Sequence, residues 1–166
     1  TPTKQTRLGG CHVNEITQDV TRVRELVYEL RVEQVMNRDV ITVTPDCAIR
    51  DLKEILRTKR ISGAPVVMGD ELIGMVSIEN LILALERGDI SSKVRDHMTV
   101  EVRTIRADDR VVSAVNMFAR YGFGRFPVVD GEGHLVGILT KGDIMRGLLR
   151  QMEVQWQAEE VHRYRA

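Results

Sequence analysis

Two short stretches of the sequence carry residue types that could bind a nucleotide. In Gly137–Asp143 (GILTKGD), an apolar run ends in the hydroxyl of Thr140, and the carboxylate of Asp143 follows three residues later. A weaker copy, Gly74–Asn80 (GMVSIEN), has an amide where the first has the acid. Each stretch predicts a buried strand that leads into a helix whose first turn is capped by the hydroxyl.

Such a strand-to-helix corner has chemistry that suits a nucleotide. The helix N-terminus offers unpaired amides and a positive dipole end, which favour phosphate. A carboxylate can accept hydrogen bonds from both ribose hydroxyls, as an acidic residue does in dinucleotide-binding folds. The pattern Thr140-x-x-Asp143 also resembles a capping box, which needs no ligand. Because caps are frequent, the stretch taken alone favours the structural role.

Composition excludes several classes of function. The chain has 166 residues, and its 24 Lys and Arg balance its 24 Asp and Glu, so no overall field attracts nucleic acid or an anionic membrane. Its apolar runs are too short to span a bilayer, and its start lacks an apolar secretory core, which together predict a cytoplasmic protein. The chain starts without Met, which suggests a processed or excised piece.

The cysteines and histidines predict no metal site. Cys11 and Cys47 lack zinc spacing and are expected to be reduced, the first in a tail and the second in a helix. The histidines are far apart, without a partner at ligand spacing: His12, His97, His134 and His162. The sequence suggests no Ser/His/Asp or Cys/His arrangement that would pair a nucleophile with a base, so no pattern points to an enzyme.

An internal repeat organises the two corners. Val32–Met36 (VEQVM) aligns with Val94–Met98 (VRDHM), and Pro65–Val67 aligns with Pro127–Val129. One extra residue in the second copy then places Ser77 on Thr140 and Asn80 on Asp143. Each copy reads as β-α-β-β-α, and one such small sheet leaves a face that needs a second copy to bury it.

The predicted fold class is therefore α+β, with two repeats related by a pseudo-two-fold axis, packed through their sheets and flanked by terminal helices. The first helix of repeat 1 is expected to open at Thr44-Pro45-Asp46. The expected domains are a tail and helix over 1–31, repeat 1 over 32–88, repeat 2 over 89–150 and a helical extension over 151–166. The predicted short first strands are Val40–Val43 and Val102–Ile105.

The doubled set of features resembles a tandem pair of cystathionine β-synthase (CBS) domains, also called a Bateman module. The resemblance covers about residues 32–150 and rests on the Val-x-x-Val-Met and Val-x-x-His-Met openings, the Pro-Val-Val strands and the two corners. It implies a regulatory module that binds an adenine nucleotide (AMP, ADP or ATP) between its repeats and commonly forms a homodimer. The adenine nucleotide would be a regulatory ligand, and no other cofactor is implied.

The resemblance also implies which residues line the clefts. In the main cleft, Asp143 matches the ribose-binding acid, Thr140 the hydroxyl beside the phosphates and Arg125 a phosphate-binding position. From repeat 1, Thr42 and Ile61 match adenine-lining positions, with Cys47 near that wall. The pseudo-symmetric cleft, at the Ser77–Asn80 corner, is expected to be weak or empty, since it has an amide in place of the acid and Gly63 where the main cleft has Arg125. Its residues would be Asn80, Ser77, Thr104 and Phe123.

Other functions remain open at this point. Relatives in the family also accept S-adenosylmethionine or cyclic dinucleotides. The clefts could instead be vestigial in a structural dimerisation module. The predicted helices at the two ends, Asn14–Leu30 and the segment after Asp143, could connect the module to an effector domain or partner.

Overall fold

The computed structural model describes residues 13–165, and side chains over residues 20–153. Cys11 and His12 lie outside the described residues, as does the side chain of His162. Within residues 13–165, five α-helices and five strands confirm the α+β class, in the order α1 (Val13–Glu29), α2 (Ile49–Lys59), β1 (Gly63–Met68), β2 (Glu71–Ser77), α3 (Ile78–Glu86), β3 (Ile105–Arg106), α4 (Val111–Tyr121), β4 (Arg125–Val129), β5 (Leu135–Thr140) and α5 (Lys141–Arg165).

Each repeat has an antiparallel hairpin with a parallel segment beside it. In repeat 1, β1 pairs with β2, and Val43 alone bridges in parallel to Val66. In repeat 2, β4 pairs with β5, and β3 runs parallel to β4 over two residues. The predicted first strands are therefore shorter than expected in both repeats.

The prediction that the first helix of repeat 1, which is α2, begins at Thr44–Asp46 was wrong. Thr44–Asp46 lies in a turn, in which the Cys47 amide donates to the Thr44 carbonyl at 3.1 Å, and α2 begins only at Ile49. Asp46 instead accepts bonds from Lys93 Nζ at 2.9 Å and from Arg95 at 2.6 Å. Cys47 is consequently a turn residue and not the helix residue that the sequence suggested.

The opening segment of each repeat packs into the core of the other. Val32, Val35 and Met36 are buried in the cluster that holds the β4–β5 hairpin, together with Leu26 of α1. Val94 is buried in the first repeat's cluster, against which Met98 packs. Bridges between Asn37 and Ile138 and between Met75 and Thr99 complete the exchange. This crossing brings the start of each repeat beside the strand-to-helix corner of the other.

The terminal helices pack on the second repeat's core. Ile144 and Leu148 bury one face of α5 in that cluster. At Gly147, an added Cβ would overlap the Val35 side chain, so α5 lies against the opening segment of repeat 1. No helix in the part of the chain that the structure describes is long and apolar enough to cross a membrane.

Candidate functional site

The first corner, Ser77–Asn80, is a closed hydrogen-bonded cap. The backbone N–H of Asn80 donates to Ser77 Oγ at 3.4 Å. In return, the backbone N–H and the hydroxyl of Ser77 both donate to Asn80 Oδ1, at 2.9 and 2.8 Å. These bonds satisfy two of the amides that a helix start leaves unpaired. They use the side-chain oxygen of Asn80, so this corner would present the NH₂ group of Asn80 to a ligand.

The second corner, Thr140–Asp143, repeats this cap with a carboxylate. Thr140 donates from its backbone N–H and its hydroxyl to Asp143 Oδ2, both at 2.8 Å, and the Asp143 amide donates to Thr140 Oγ1 at 3.2 Å. The other oxygen, Oδ1, accepts from Arg146 at 2.6 Å. The capping role is thus present at both corners. A ribose at Asp143 would have to compete with Arg146.

A cavity of about 360 Å³ lies at the first corner, in the size range of small-molecule sites. Its lining comes from both repeats: Ser77 and Asn80 at the end of the first hairpin, and the 99–103 segment and Phe123–Arg125 from the second repeat. The crossing of Thr99 onto Met75 positions that segment as one wall. The cavity lies at the corner for which the sequence predicted the weaker cleft.

Phe123 gives the cavity an aromatic wall. Its side chain is 47% exposed, stacks on Tyr121 at a centroid distance of 5.9 Å and packs on Phe126 at 5.6 Å. Tyr121 in turn carries the Arg103 guanidinium 4.2 Å from its ring centroid. A fixed and partly exposed ring of this kind is suited to stack against a planar base.

Charges of both signs line the cavity. Glu79 and Glu101 contribute carboxylates, and Arg103 and Arg125 contribute guanidinium groups. The pKa of Glu79 is lowered, chiefly by its own backbone N–H and next by the Ser77 side chain, which favours the ionised carboxylate. The polar groups can therefore orient a ligand that carries both donors and acceptors.

Arg125 connects the two corners. As the first residue of β4 it pairs with Thr140 of the second corner. Its side chain crosses to repeat 1, where Nη1 donates to the Gly63 carbonyl at 3.0 Å and Nη2 donates to Ser62 Oγ. Burial lowers the pKa of Arg125, while Asp143 and Glu79 oppose that shift. The guanidinium therefore stands in the field of a carboxylate from each corner.

The remaining predicted residues lie at other places. Thr42 is exposed and lines a shallow hollow with the hairpin turns at Asp70 and His134. Ile61 and Cys47 are partly buried and pack against the first repeat's core. Burial, and to a smaller extent the negative charge of Asp51, raises the pKa of the Cys47 thiol. Thr104 is exposed. Contact of Thr42, Ile61 and Cys47 with a ligand beside Asp143, and of Thr104 with a ligand beside Asn80, stays a prediction.

Sequence reasoning missed two groups of polar residues. The first group lines the cavity and consists of Ser62, Glu79, Glu101 and Arg103. The alignment of residues 99–103 with residues 37–41 across the repeat was the signal that could have identified the 99–103 segment as a cavity wall. His134 was said to lack acids at ligand spacing. In the structure its imidazole lies near Asp130 and Glu132, with ligand atoms within 4.8 Å of one another on an exposed turn.

Comparison of the sequence with protein-family models assigns both repeats to one family. The family model described as CBS domain matches residues 32–87 and 94–150, which is more than half of the chain. The chain belongs to the CBS-domain family. It is 32% identical over 117 residues to the uncharacterized protein MJ1232 of Methanocaldococcus jannaschii, covering 70% of this chain. It spans 39% of that relative's length, and 28% of the length of an inosine-5'-monophosphate dehydrogenase of Korarchaeum cryptofilum.

Two solved CBS-pair structures share the fold and contain ligands. CBSX2 in complex with AMP is 30% identical, with a TM-score of 0.66 and coverage of 74% of this chain and 98% of that one. The CBS domain pair of MJ0100 in complex with 5'-methylthioadenosine and S-adenosyl-L-methionine is 26% identical, with a TM-score of 0.63 and coverage of 70% and 94%.

Proposed function

We propose that this CBS pair is a regulatory module that binds an adenosine-containing ligand between its two repeats. The observation that carries the proposal is the cavity at the first corner, which both repeats line and which combines a capped helix start, an exposed aromatic ring and charged groups. A base could stack on Phe123 while its ribose meets Asn80. The ligands of CBSX2 and MJ0100 share an adenosine core, which supports this class.

The ligand is to be found by thermal shift of the full chain against AMP, ADP, ATP, S-adenosylmethionine, 5'-methylthioadenosine and a cyclic dinucleotide. A ligand at one hundred times its dissociation constant adds about 2.7 kcal/mol to the free energy of unfolding. We expect at least one adenosine compound to raise Tm. If none does so at millimolar concentration, the proposal fails and a structural role is favoured.

Phe123 offers a test of where the ligand binds. Phe123→Ala removes the partly exposed ring, and base stacking on an aromatic side chain is worth about 1–3 kcal/mol. The expected result is a dissociation constant at least about fivefold weaker, measured by isothermal titration. Met68→Ala is the matched control. Met68 is also an exposed apolar side chain, but it lies at the last residue of β1, whereas the first residue, Gly63, lines the cavity.

A second function, dimerisation, is favoured by exposed apolar side chains on two equivalent helices. Ile78, Ile82 and Leu85 lie on one face of α3, and Met145 and Leu149 follow the same spacing on α5. A second copy of the chain could cover both faces. Light scattering should give the mass of a homodimer, and Ile82→Glu should yield a monomer; a monomeric parent protein would contradict this.

The terminal helices would carry the signal. α5 starts at the second corner and lies against the opening of repeat 1 through Gly147, so a shift of that corner would move the helix. The shift is limited by the ligand's differential affinity for the two arrangements. A chain ending after Arg150 should still bind ligand and lose the response of a partner or effector domain. An unchanged response in the shortened chain would remove this role.

A further inference from the structure

We propose that the one Arg125 guanidinium serves both clefts, so that an anionic ligand group bound in one cleft withdraws Arg125 from the other. The first cleft is the cavity at Ser77–Asn80, and the second cleft is the predicted site at Thr140–Asp143. The inference rests on the proposed function, because it concerns how two ligands of that class would influence each other.

The pseudo-two-fold symmetry of the module is broken at this position. The residue equivalent to Arg125 in repeat 1 is Gly63, where an added Cβ would lie 2.8 Å from the Val76 carbonyl oxygen. Repeat 1 therefore has no room for a guanidinium of its own here. The side chain of Arg125 fills the position from the other repeat, by donating to the Gly63 carbonyl.

Arg125 is within reach of both corners. Its backbone pairs with Thr140, and its side-chain acceptor Gly63 pairs with Ser77, so one side chain spans the two N-caps. Glu79 beside the first corner and Asp143 in the second both attract it, and neither forms an ion pair with it among residues 20–153. The guanidinium is thus attracted by one carboxylate from each corner and is bonded to neither.

The present partners of Arg125 are weak enough to be exchanged. Both acceptors are neutral, a carbonyl and a hydroxyl, whereas a phosphate carries a charge of opposite sign and can accept two parallel bonds from the guanidinium fork. A phosphate in either cleft would capture the side chain. A second phosphate would then enter its cleft without Arg125, and by linkage the free-energy cost is the same whichever cleft fills first.

The experiment compares AMP with adenosine, which differ only in the phosphate. The measured quantity is the ratio of their dissociation constants in the full chain, by isothermal titration. Gly124→Trp fills the first cleft, since a Cβ at Gly124 has no neighbour within 4 Å, and Asp143→Ala disables the second cleft. Arg125→Gln is then added to each variant, after thermal melting has shown that the protein is folded. Gly124→Phe replaces Gly124→Trp if the latter unfolds.

We expect Arg125→Gln to reduce the preference for AMP by about tenfold in both backgrounds. Arg103→Gln is the matched control: Arg103 lines the first cleft, so it should reduce the preference only in the Asp143→Ala background. An effect of Arg125→Gln in only one background, or in neither, overturns the shared role while leaving the proposed function intact. If the parent chain binds neither compound, the shared role is overturned, whereas the proposed function is overturned only if the whole ligand panel also gives no rise in Tm.

Discussion

The two strand-to-helix corners have the same cap and different surroundings. In both, a hydroxyl donates to the side-chain oxygen of the residue three positions later and accepts from that residue's backbone N–H. In the second corner, Arg146 occupies the remaining carboxylate oxygen of Asp143. The equivalent of Arg146 in the first corner is Leu83, which has no charge to offer Asn80. The first corner lines the cavity, whereas the carboxylate of Asp143, which is the stronger hydrogen-bond acceptor, is already paired.

This difference shows that residue type and accessibility are separate requirements. A carboxylate binds ribose hydroxyls more strongly than an amide, because hydrogen bonds to charged groups contribute about 1.5–3 kcal/mol against about 0.5–1.5 kcal/mol for neutral ones. The stronger binding by the Asp143 carboxylate is available only after its bond with Arg146 is broken. The pair is exposed on the Arg146 side only, at 66% against 13% for Asp143, so Arg146 can turn into solvent and open the second corner at modest cost.

The largest expected effect concerns how tightly the helix of each corner is packed. Gly147 of α5 lies against Val35, whereas the equivalent position on α3 is Ala84, which is fully buried. Gly147→Leu would force its side chain into Val35 and lower the free energy of unfolding by about 1–3 kcal/mol. Urea denaturation measures this. Gly124→Leu, at a position with open space, should leave the unfolding midpoint almost unchanged, and an equal loss in both variants would contradict the packing.

Exchange of the acid and the amide between the corners should have the next largest effect. Asn80→Asp places a carboxylate beside the open cavity and should strengthen adenosine binding by about 1 kcal/mol, roughly fivefold. Asp143→Asn should weaken any binding at the second corner by a similar factor. Isothermal titration of both variants provides the measurement. If Asn80→Asp weakens binding, the ribose does not lie at that corner.

The repeat explains why the fold could be predicted and the open cleft could not. Spacing of apolar residues located the hairpins and the two caps, since those depend on neighbours in sequence. The cavity at Ser77 depends on the crossing of Thr99 onto Met75, and the occupancy of Asp143 depends on the rotamer of Arg146. The turn at Thr44–Asp46 was misread because Lys93 and Arg95, far along the chain, pair with Asp46.

A smaller effect is expected from removing the residue that covers Asp143. Arg146→Ala should change stability by less than about 1 kcal/mol, because the pair is exposed on the Arg side, and should strengthen ligand binding at the second corner by up to about fivefold. Arg150→Ala, one turn further along α5 and also exposed, is the control. Weaker binding in Arg146→Ala would mean that Arg146 itself contacts the ligand.

The smallest predicted effect concerns Cys47, which the sequence predicted to lie beside the adenine wall of the main cleft at Asp143. Burial and the charge of Asp51 raise the pKa of its thiol, so the reactive thiolate is scarce at neutral pH and increases only as the pH rises above the usual thiol range. In a Cys11→Ser background, alkylation by iodoacetamide should be slower than that of a free thiol at pH 7.5. Ligand should not change the rate if Cys47 lies outside the clefts, and protection by ligand would place it at the site.

The most direct test of binding between the repeats is amide NMR of the ¹⁵N-labelled chain during titration with AMP and adenosine. The account predicts that the largest shifts fall on Ser77, Asn80, Thr99 and the 122–125 segment, which belong to different repeats and meet only at the cavity. The hairpin turns at Gly69 and Gly133 should not move. Shifts confined to those turns, or spread along one repeat alone, would contradict a ligand site formed by both halves of the chain.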